Sequence, residues 1–247
     1  MLTKEYTKHI YNKFGLEYHK HRSNPKENFW NKFIEIPSMN LILRNLVRNK
    51  KVVDLGCGSG ILTKRLKYWG ADVVGVDLSK NLIKIAEKEN PNIKFYASDA
   101  SKTPFKNSEF NIVTSSLMVH YFKNLTEIFN EANRILKVNG YFVFSIQHPV
   151  NEVIKEVKIG GVKKFLLMPY FHNNKSKWKC TRHMKVITYH HTFESIFNAL
   201  NESRFVTEML LEPLPKKSTR KLDTESYYRT SKSPSFCIFK TRKIGNI

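Results

Sequence analysis

Cysteine is scarce in this chain of 247 residues. Cys57, Cys180 and Cys237 are odd in number and far apart, which leaves neither a disulfide framework nor a CxxC metal pair. Long apolar runs are also missing. None approaches the roughly 18–20 residues that a spanning helix needs, so no transmembrane segment is expected. The first residues, Met1 to Tyr6, lack the apolar stretch of a signal peptide. Acidic residues are few, 21 against 42 basic, for a net charge of +21. What is present suffices for a sizeable core: 41% of residues are hydrophobic and 13% aromatic, which argues against wholesale disorder. The expectation is a soluble, reduced, cytoplasmic chain of one to two domains by length.

The charge is unevenly spread. Residues 1–50 hold 10 basic and 4 acidic side chains, residues 51–150 hold 13 and 9, and residues 151–247 hold 19 and 8. The excess therefore lies mostly in the flanks. Such flanks favour anionic partners, RNA among them. Lysine outnumbers arginine 32 to 10, which equally fits a general compositional bias.

Tyr6, Ile10, Tyr11, Phe14 and Tyr18 recur at helical spacing, so residues 1–23 are predicted as a helix with an aromatic stripe. Residues 26–48 read as another helical stretch, interrupted at Pro37. Strands are predicted at 51–54, 72–77, 93–99, 110–115 and 141–146. Helices are predicted at 61–69, at 80–89 behind the cap Ser79, and at 124–137. This alternation argues a doubly wound, mostly parallel sheet with right-handed crossovers. Later come a helix at 193–203 and strands at 205–211 and 235–240. Two stretches rich in lysine, aromatics and proline, 149–190 and 212–234, fit no clean period and read as insertions over the sheet. No internal repeat is apparent.

Three aspartates each close an apolar strand, Asp54, Asp77 and Asp99, one β-α unit apart. Carboxyl ends of parallel strands line the ligand crevice, so these carboxylates should gather along one cleft. Gly56-Cys57-Gly58-Ser59-Gly60 follows the first strand, and its glycines let a ligand approach the backbone. An acidic residue ending the second strand can accept both ribose hydroxyls, and one ending the third can accept from an adenine amine. Together they describe a nucleoside pocket. The glycine spacing is not the Gly-x-Gly-x-x-Gly of dinucleotide binders. Asp54, two residues before the first glycine, suits a ligand with an ammonium group.

Asp54-Leu55-Gly56-Cys57-Gly58-Ser59-Gly60 resembles the first motif of class I S-adenosylmethionine-dependent methyltransferases of the small-molecule, methyltransferase-domain 11/25 kind. Val74-Gly75-Val76-Asp77-Leu78-Ser79 resembles their second motif and Ser98-Asp99-Ala100 their third. Phe110 to Val113 with Ser115 to Tyr121 resembles the fourth strand and its loop. The resemblance is firm over about residues 45–147. It implies a Rossmann-like, doubly wound, seven-stranded α/β sheet with an antiparallel C-terminal strand. It implies one domain over 1–247: a helical cap at 1–48, a cofactor core at 49–147, a lid at 149–190, and the rest of the sheet at 191–247. S-adenosylmethionine is the implied cofactor. Gly56, Cys57 and Gly58 would flank its amino acid end with Asp54 near the amine. Asp77 would hold the ribose, Leu78 would pack on the adenine, and Asp99 with Ala100 would meet its amine. Ser115 and Ser116 would border the methionyl part. Tyr18 would cap that end, and Arg22 could pair with its carboxylate.

Methyl transfer is an in-line displacement that needs mainly orientation and a dry pocket. A base helps where the nucleophile is a hydroxyl or protonated nitrogen. His120, in the loop after the fourth strand, is the candidate base, since a histidine titrates near working pH. Tyr11, Tyr121, His148 and His190 are further candidates for the acceptor site; Ser145-x-x-His148-Pro149 and Tyr189-His190-x-Thr192 resemble a subgroup of small-molecule methyltransferases. No metal site is expected. The acceptor is expected to be a small molecule methylated on oxygen or nitrogen. The basic flanks leave a tRNA or rRNA methyltransferase as an alternative, although the Asn-Pro-Pro-Tyr element and a separate RNA-binding module are lacking. A non-catalytic nucleoside-binding protein is a third reading. Monomer and homodimer both stay open.

Overall fold

The computed structural model describes residues 3–24, 28–171 and 175–245. The predicted start of the second helix at 26, and the centre of the 149–190 segment at 172–174, lie outside the described residues.

Seven strands form one sheet. They are β1 (Lys51–Leu55), β2 (Asp72–Asp77), β3 (Lys94–Ala97), β4 (Phe110–Ser116), β5 (Leu136–Gln147), β10 (Phe205–Leu211) and β11 (Phe236–Lys243). Their order is β10-β11-β5-β4-β1-β2-β3. The five from β3 to β5 run parallel, and β11 runs antiparallel to both neighbours. This is the expected seven-stranded, Rossmann-like, mostly parallel α/β architecture.

Strand alternation divides the core into two layers. Val53, Val113, Phe142 and Phe239 face one side, where they join Phe129 and Ile196. Their chain neighbours Val52, Ile112, Val143 and Ile238 face the other, where they join Met39, Leu43 and Leu66. Both faces are covered, which is why the strands read as continuous apolar runs rather than alternating ones. The covering helices begin at side-chain caps. Ser79 Oγ accepts from Leu82 N at the start of α4 (Lys80–Glu89). Asn124 and Thr192 do the same for α5 (Leu125–Ile135) and α7 (Phe193–Glu202). On the Val52 side lie α2 (Ile36–Leu46) and α3 (Ile61–Tyr68). No helix among the described residues is long and apolar enough to cross a membrane.

The chain switches direction across the sheet between β1 and β4, so a crevice opens outside their carboxyl ends. Helix α1 (Thr3–Ser23) lies over it. This helix bends at Phe14, whose backbone leaves the helical region, and the buried Gly15 sits against Leu82 of α4. Asn12 accepts from Ser79 Oγ at 2.8 Å, and His19 Nδ1 meets Ser59 Oγ at 2.8 Å. Glu17 accepts from Thr181 Oγ1 at 2.5 Å, which ties α1 to the 149–190 segment.

Three local features differ from the sequence reading. Pro37 does not interrupt its helix. It sits in the first turn of α2, directly after a π-helical turn, Asn31–Glu35, and the chain stays helical through it. The 149–190 segment holds a short helix, α6 (Pro149–Val153), and two hairpins, β6 (Ile154–Ile159) with β7 (Val162–Leu167) and β8 (Lys175–Lys179) with β9 (Lys185–Tyr189). Every β7 side chain is exposed, so no burial period could mark it. The 212–234 stretch forms a 3-10 turn, Lys217–Lys221, and α8 (Thr224–Lys232).

Candidate active site

The glycine turn follows from backbone geometry. Gly56, Gly58 and Gly60 all have positive φ, at 71°, 56° and 80°, a region that side chains disfavour. The turn folds inward on itself. Gly56 N and Cys57 N both donate to Val76 O, at 2.8 and 2.9 Å, and Gly58 N donates to Asp77 Oδ2 at 2.9 Å. These three amides are therefore spent inside the protein and none is presented to a phosphate, the opposite of a pyrophosphate cradle.

Asp77 closes β2. Its Oδ1 accepts from Ser79 N at 2.8 Å while Oδ2 holds the turn. Burial raises its carboxyl, against those amide bonds. Asp54 is buried under the turn. Its Oδ2 accepts from Thr63 Oγ1 at 2.7 Å, and its Oδ1 has no partner. Burial, with the nearby charges of Asp77 and Glu35, pushes its carboxyl up to about 7. An unpartnered, buried carboxylate oxygen at that place invites a cationic donor such as an ammonium.

A cleft of about 760 Å³, counting its open mouth, runs along the strand ends. Gly56, Gly58, Asp77, Leu78, Asp99, Ala100 and Ser116 line it from the sheet, and Lys4, Tyr11 and Tyr18 line it from α1. A small cavity of about 350 Å³ adjoins it at the glycine turn, bounded by Tyr18, Arg22, Asp54, Cys57, Gly58 and Ser116. A third, of about 1520 Å³ counting its open mouth, lies beyond Tyr11, Tyr18, Leu117 and Tyr121, which it shares with the cleft. Its other walls include His120, Trp30, Trp178, Asn151 and Glu152.

Most residues singled out in the sequence thus converge. Asp77, Asp99, Gly56, Gly58, Leu78, Ala100 and Ser116 border the cleft. Asp54, Cys57 and Arg22 border its small annex. Tyr11 and Tyr121 meet hydroxyl to hydroxyl at 2.6 Å, and Tyr18 packs edge-on against Tyr11. Burial raises the Tyr18 phenol to about 12, against the pull of Arg22.

Others are placed differently. Ser115 borders none of these cavities; it is fully buried within β4, and strand alternation turns only Ser116 toward the cleft. Cys57 packs into the core beneath the turn, its thiol pushed far up by burial. Asp99 reaches the cleft with both oxygens engaged: Ser101 N and Oγ donate to Oδ1, and Lys4 Nζ lies 3.0 Å from Oδ2. Burial raises this carboxyl, but those bonds outweigh it and leave it below the ordinary range. His148 does not reach the cavity walls. Its Nδ1 accepts from Val150 N to cap α6, so Nε2 carries the proton donated to Glu212 Oε1 at 2.7 Å.

His120 lines the large cavity and is 2% exposed. Burial, with the neighbouring His191, lowers it to about 3. The expectation that a histidine here titrates near neutral pH is not met: the ring is neutral and a weak base. His190 borders the large cavity only through Glu152, whose Oε2 lies 3.0 Å from its Nδ1. Among the described residues no group of three His, Cys, Asp or Glu side chains is arranged for a metal ion.

Sequence reasoning missed Glu35, Glu152 and Lys4. Glu35 is fully buried beside the cleft, where Oε1 accepts from Ser116 Oγ and Ser145 Oγ at 2.7 and 2.6 Å. No short-range motif marks any of the three, since each meets its partners across the fold.

Comparison with known proteins agrees with this geometry. Residues 53–144 match the family model described as "Methyltransferase domain". A protein of Haemophilus influenzae is 32% identical over 211 residues, covering 80% of this chain and 82% of that one. The demethylmenaquinone methyltransferase of Chlorobaculum parvum is 35% identical over 121 residues, and the match spans about half of each chain, 48% of this one and 50% of that one. A solved S-adenosylmethionine-dependent methyltransferase from Mesorhizobium loti superimposes with a TM-score of 0.75 at 25% identity, over 85% of this chain and 97% of that one. With the strand order, the inward-folded glycine turn and the carboxylate-lined cleft, these matches show that the chain belongs to the class I S-adenosylmethionine-dependent methyltransferases.

Proposed function

We propose that this enzyme methylates an oxygen or nitrogen of a small-molecule acceptor seated in the large cavity behind Tyr11 and Tyr121. The observation that carries this reading is the shared wall: Tyr11, Tyr18, Leu117 and Tyr121 border both the strand-end cleft and the large cavity. A donor in the cleft and an acceptor in the cavity would meet there. The cavity is walled in part by aromatic side chains, Trp30, Trp178, Tyr11 and Tyr121 among them, which suits a small molecule with an apolar body.

When bound, S-adenosylmethionine supplies a methyl group activated on a sulfonium. Asp77 would accept the ribose hydroxyls while keeping the glycine turn in place. Leu78 and Ala100 would face the adenine, with Asp99 at its amine and Lys4 drawn aside or shared. Asp54, through the unpartnered Oδ1, would receive the ammonium. Arg22 borders the annex, so it would receive the carboxylate. Tyr11, Tyr18 and Tyr121 would exclude water and align the acceptor, which is the main contribution such a transfer needs. Neutral His120 would position the acceptor by a hydrogen bond.

The Arg22 assignment separates from the rest. Arg22→Met is expected to weaken S-adenosylhomocysteine binding by about 10- to 100-fold, the loss of a buried charge-assisted pair. Binding of 5′-methylthioadenosine, which lacks the amino acid end, should be unchanged. Calorimetry on both ligands checks this, and an equal loss for both would remove Arg22 from that role.

A further inference from the structure

The large cavity carries a pattern of unsatisfied atoms that the cofactor does not explain. Three of its wall residues hold buried polar atoms without a partner: His120 Nδ1, Asn151 Oδ1 and Glu152 Oε1. The Asn151 oxygen accepts in every state, the Glu152 oxygen accepts when the carboxyl is ionised, and the ring nitrogen accepts in one tautomer. The Glu152 side chain is 7% exposed. Its other oxygen, Oε2, lies 3.0 Å from His190 Nδ1, while His190 Nε2 lies 2.9 Å from Tyr170 O. A carbonyl only accepts, so Nε2 carries a proton. The Nδ1–Oε2 bond then requires a second proton, held by either partner. Glu152 and His190 thus share one mobile proton, and Glu152, whose Oε1 is buried without a partner, is a residue of the cavity wall.

We propose that Glu152, backed by His190, accepts the proton of the acceptor's nucleophile, and that this nucleophile is a hydroxyl or amino group on a planar ring. The inference rests on the proposed seating of the acceptor in this cavity. The planar ring follows from the aromatic share of the wall, to which Tyr11, Tyr121, Trp30 and Trp178 contribute. The hydrogen-bearing group follows from the unpartnered oxygens of Asn151 and Glu152, which cost free energy unless a donor meets them. In the step, the nucleophile's lone pair forms the bond to the methyl carbon, and the carbon–sulfur bond breaks with its electron pair left on sulfur. The nucleophile's proton passes to Glu152 Oε1, and the proton shared with His190 then leaves toward solvent. Burial raises Glu152 above the usual carboxylate range, against the pull of His190, which brings it nearer the proton it must take. The other charged groups on the cavity wall, Arg22, Lys177 and Arg229, are cations and favour the anionic form of a nucleophile once its proton has left.

The probe is 7-hydroxycoumarin, whose neutral and anionic forms differ in excitation spectrum, with 7-methoxycoumarin as the counterpart that cannot donate. The protein is first saturated with S-adenosylhomocysteine. The hydroxy probe is expected to bind about tenfold or more tighter than the methoxy probe, a difference of one satisfied buried acceptor, and to show a raised anionic share when bound. Glu152→Gln should abolish the raised anionic share but keep the donor preference, because an amide oxygen accepts a hydrogen bond yet takes up no proton, while S-adenosylhomocysteine affinity stays unchanged. His190→Gln should lower the anionic share but keep the donor preference. 7-Aminocoumarin replaces the hydroxy probe to tell an amine site from a hydroxyl site; a preference for either over the methoxy probe supports the proposal. Equal affinity for all three coumarins, no binding of any, or an unchanged spectrum in Glu152→Gln overturns it. Failure of S-adenosylhomocysteine itself to bind would instead bring down the underlying donor-and-acceptor reading.

Discussion

Asp77→Ala is expected to weaken S-adenosylhomocysteine binding by about 100-fold or more, the largest loss of any single side chain in the cleft. The reason is a double duty visible in the geometry. One carboxylate oxygen holds Gly58 N at 2.9 Å and the other holds Ser79 N at 2.8 Å. The same group lines the cleft where a ribose would lie. Each charge-assisted bond is worth about 1.5–3 kcal/mol, and about 1.4 kcal/mol is a factor of ten in affinity. Removal deletes the ribose acceptor and leaves two amides unpartnered, so the glycine turn loses its brace as well. Asp77→Asn should fare little better, because its amide nitrogen would face an N–H donor at one of the two positions. Asp72→Ala, at the exposed start of the same strand, is the control and should bind normally. Calorimetry with a folded-state check by circular dichroism measures the effect; an Asp77→Ala protein that binds with native affinity removes Asp77 from the site.

Gly56→Ala should damage both stability and binding, more than Gly58→Ala does. Both glycines have positive φ, so each alanine carries the backbone penalty of about 1–2 kcal/mol. They differ in what the new methyl meets. At Gly58 the nearest atom is Tyr18 Cε1 at 3.7 Å, an ordinary contact. At Gly56 the methyl would stand 2.4 Å from Met118 Cγ and 2.7 Å from its Cβ. Those are atoms near the Met118 backbone, so the loop itself must move, and Met118 and its neighbour Leu117 both line the cleft. Overpacking of this kind adds about 1–3 kcal/mol. The expected outcome is a clear fall in melting temperature for Gly56→Ala with at least about tenfold weaker S-adenosylhomocysteine binding, against the smaller fall set by the backbone penalty alone, and a smaller loss of binding, for Gly58→Ala. Similar behaviour of the two variants would show that Met118 does not constrain the turn.

The parts of this molecule that the sequence reveals are those set by short-range rules. Apolar strands ending in Asp54, Asp77 and Asp99, the glycine turn, and the caps Ser79, Asn124 and Thr192 all declare themselves within a few residues. Two kinds of feature do not. The first is exposed structure: the β6–β7 hairpin turns at Gly160-Gly161, both at positive φ, yet its strands bury so little that no period survives. The second is any contact made across the fold. Lys4 occupies the carboxylate of Asp99 from 95 positions away. Glu35 meets Ser116 and Ser145 from a π-helical turn that no pattern announces. His120 shows the same limit for chemistry. Its residue type suggested a base, but burial beside His191 removes that capacity, and burial is a property of the fold. Ser115 and Ser116 were indistinguishable until the strand's facing was known.

The most direct test is the crystal structure of this protein with S-adenosylhomocysteine. The expected density places the ribose hydroxyls on Asp77, the amino acid end between Asp54 and Arg22, and the sulfur facing the wall of Tyr11 and Tyr121 toward the large cavity. Density for the ligand outside the strand-end cleft, or a sulfur turned away from that wall, would contradict the proposed path of the methyl group.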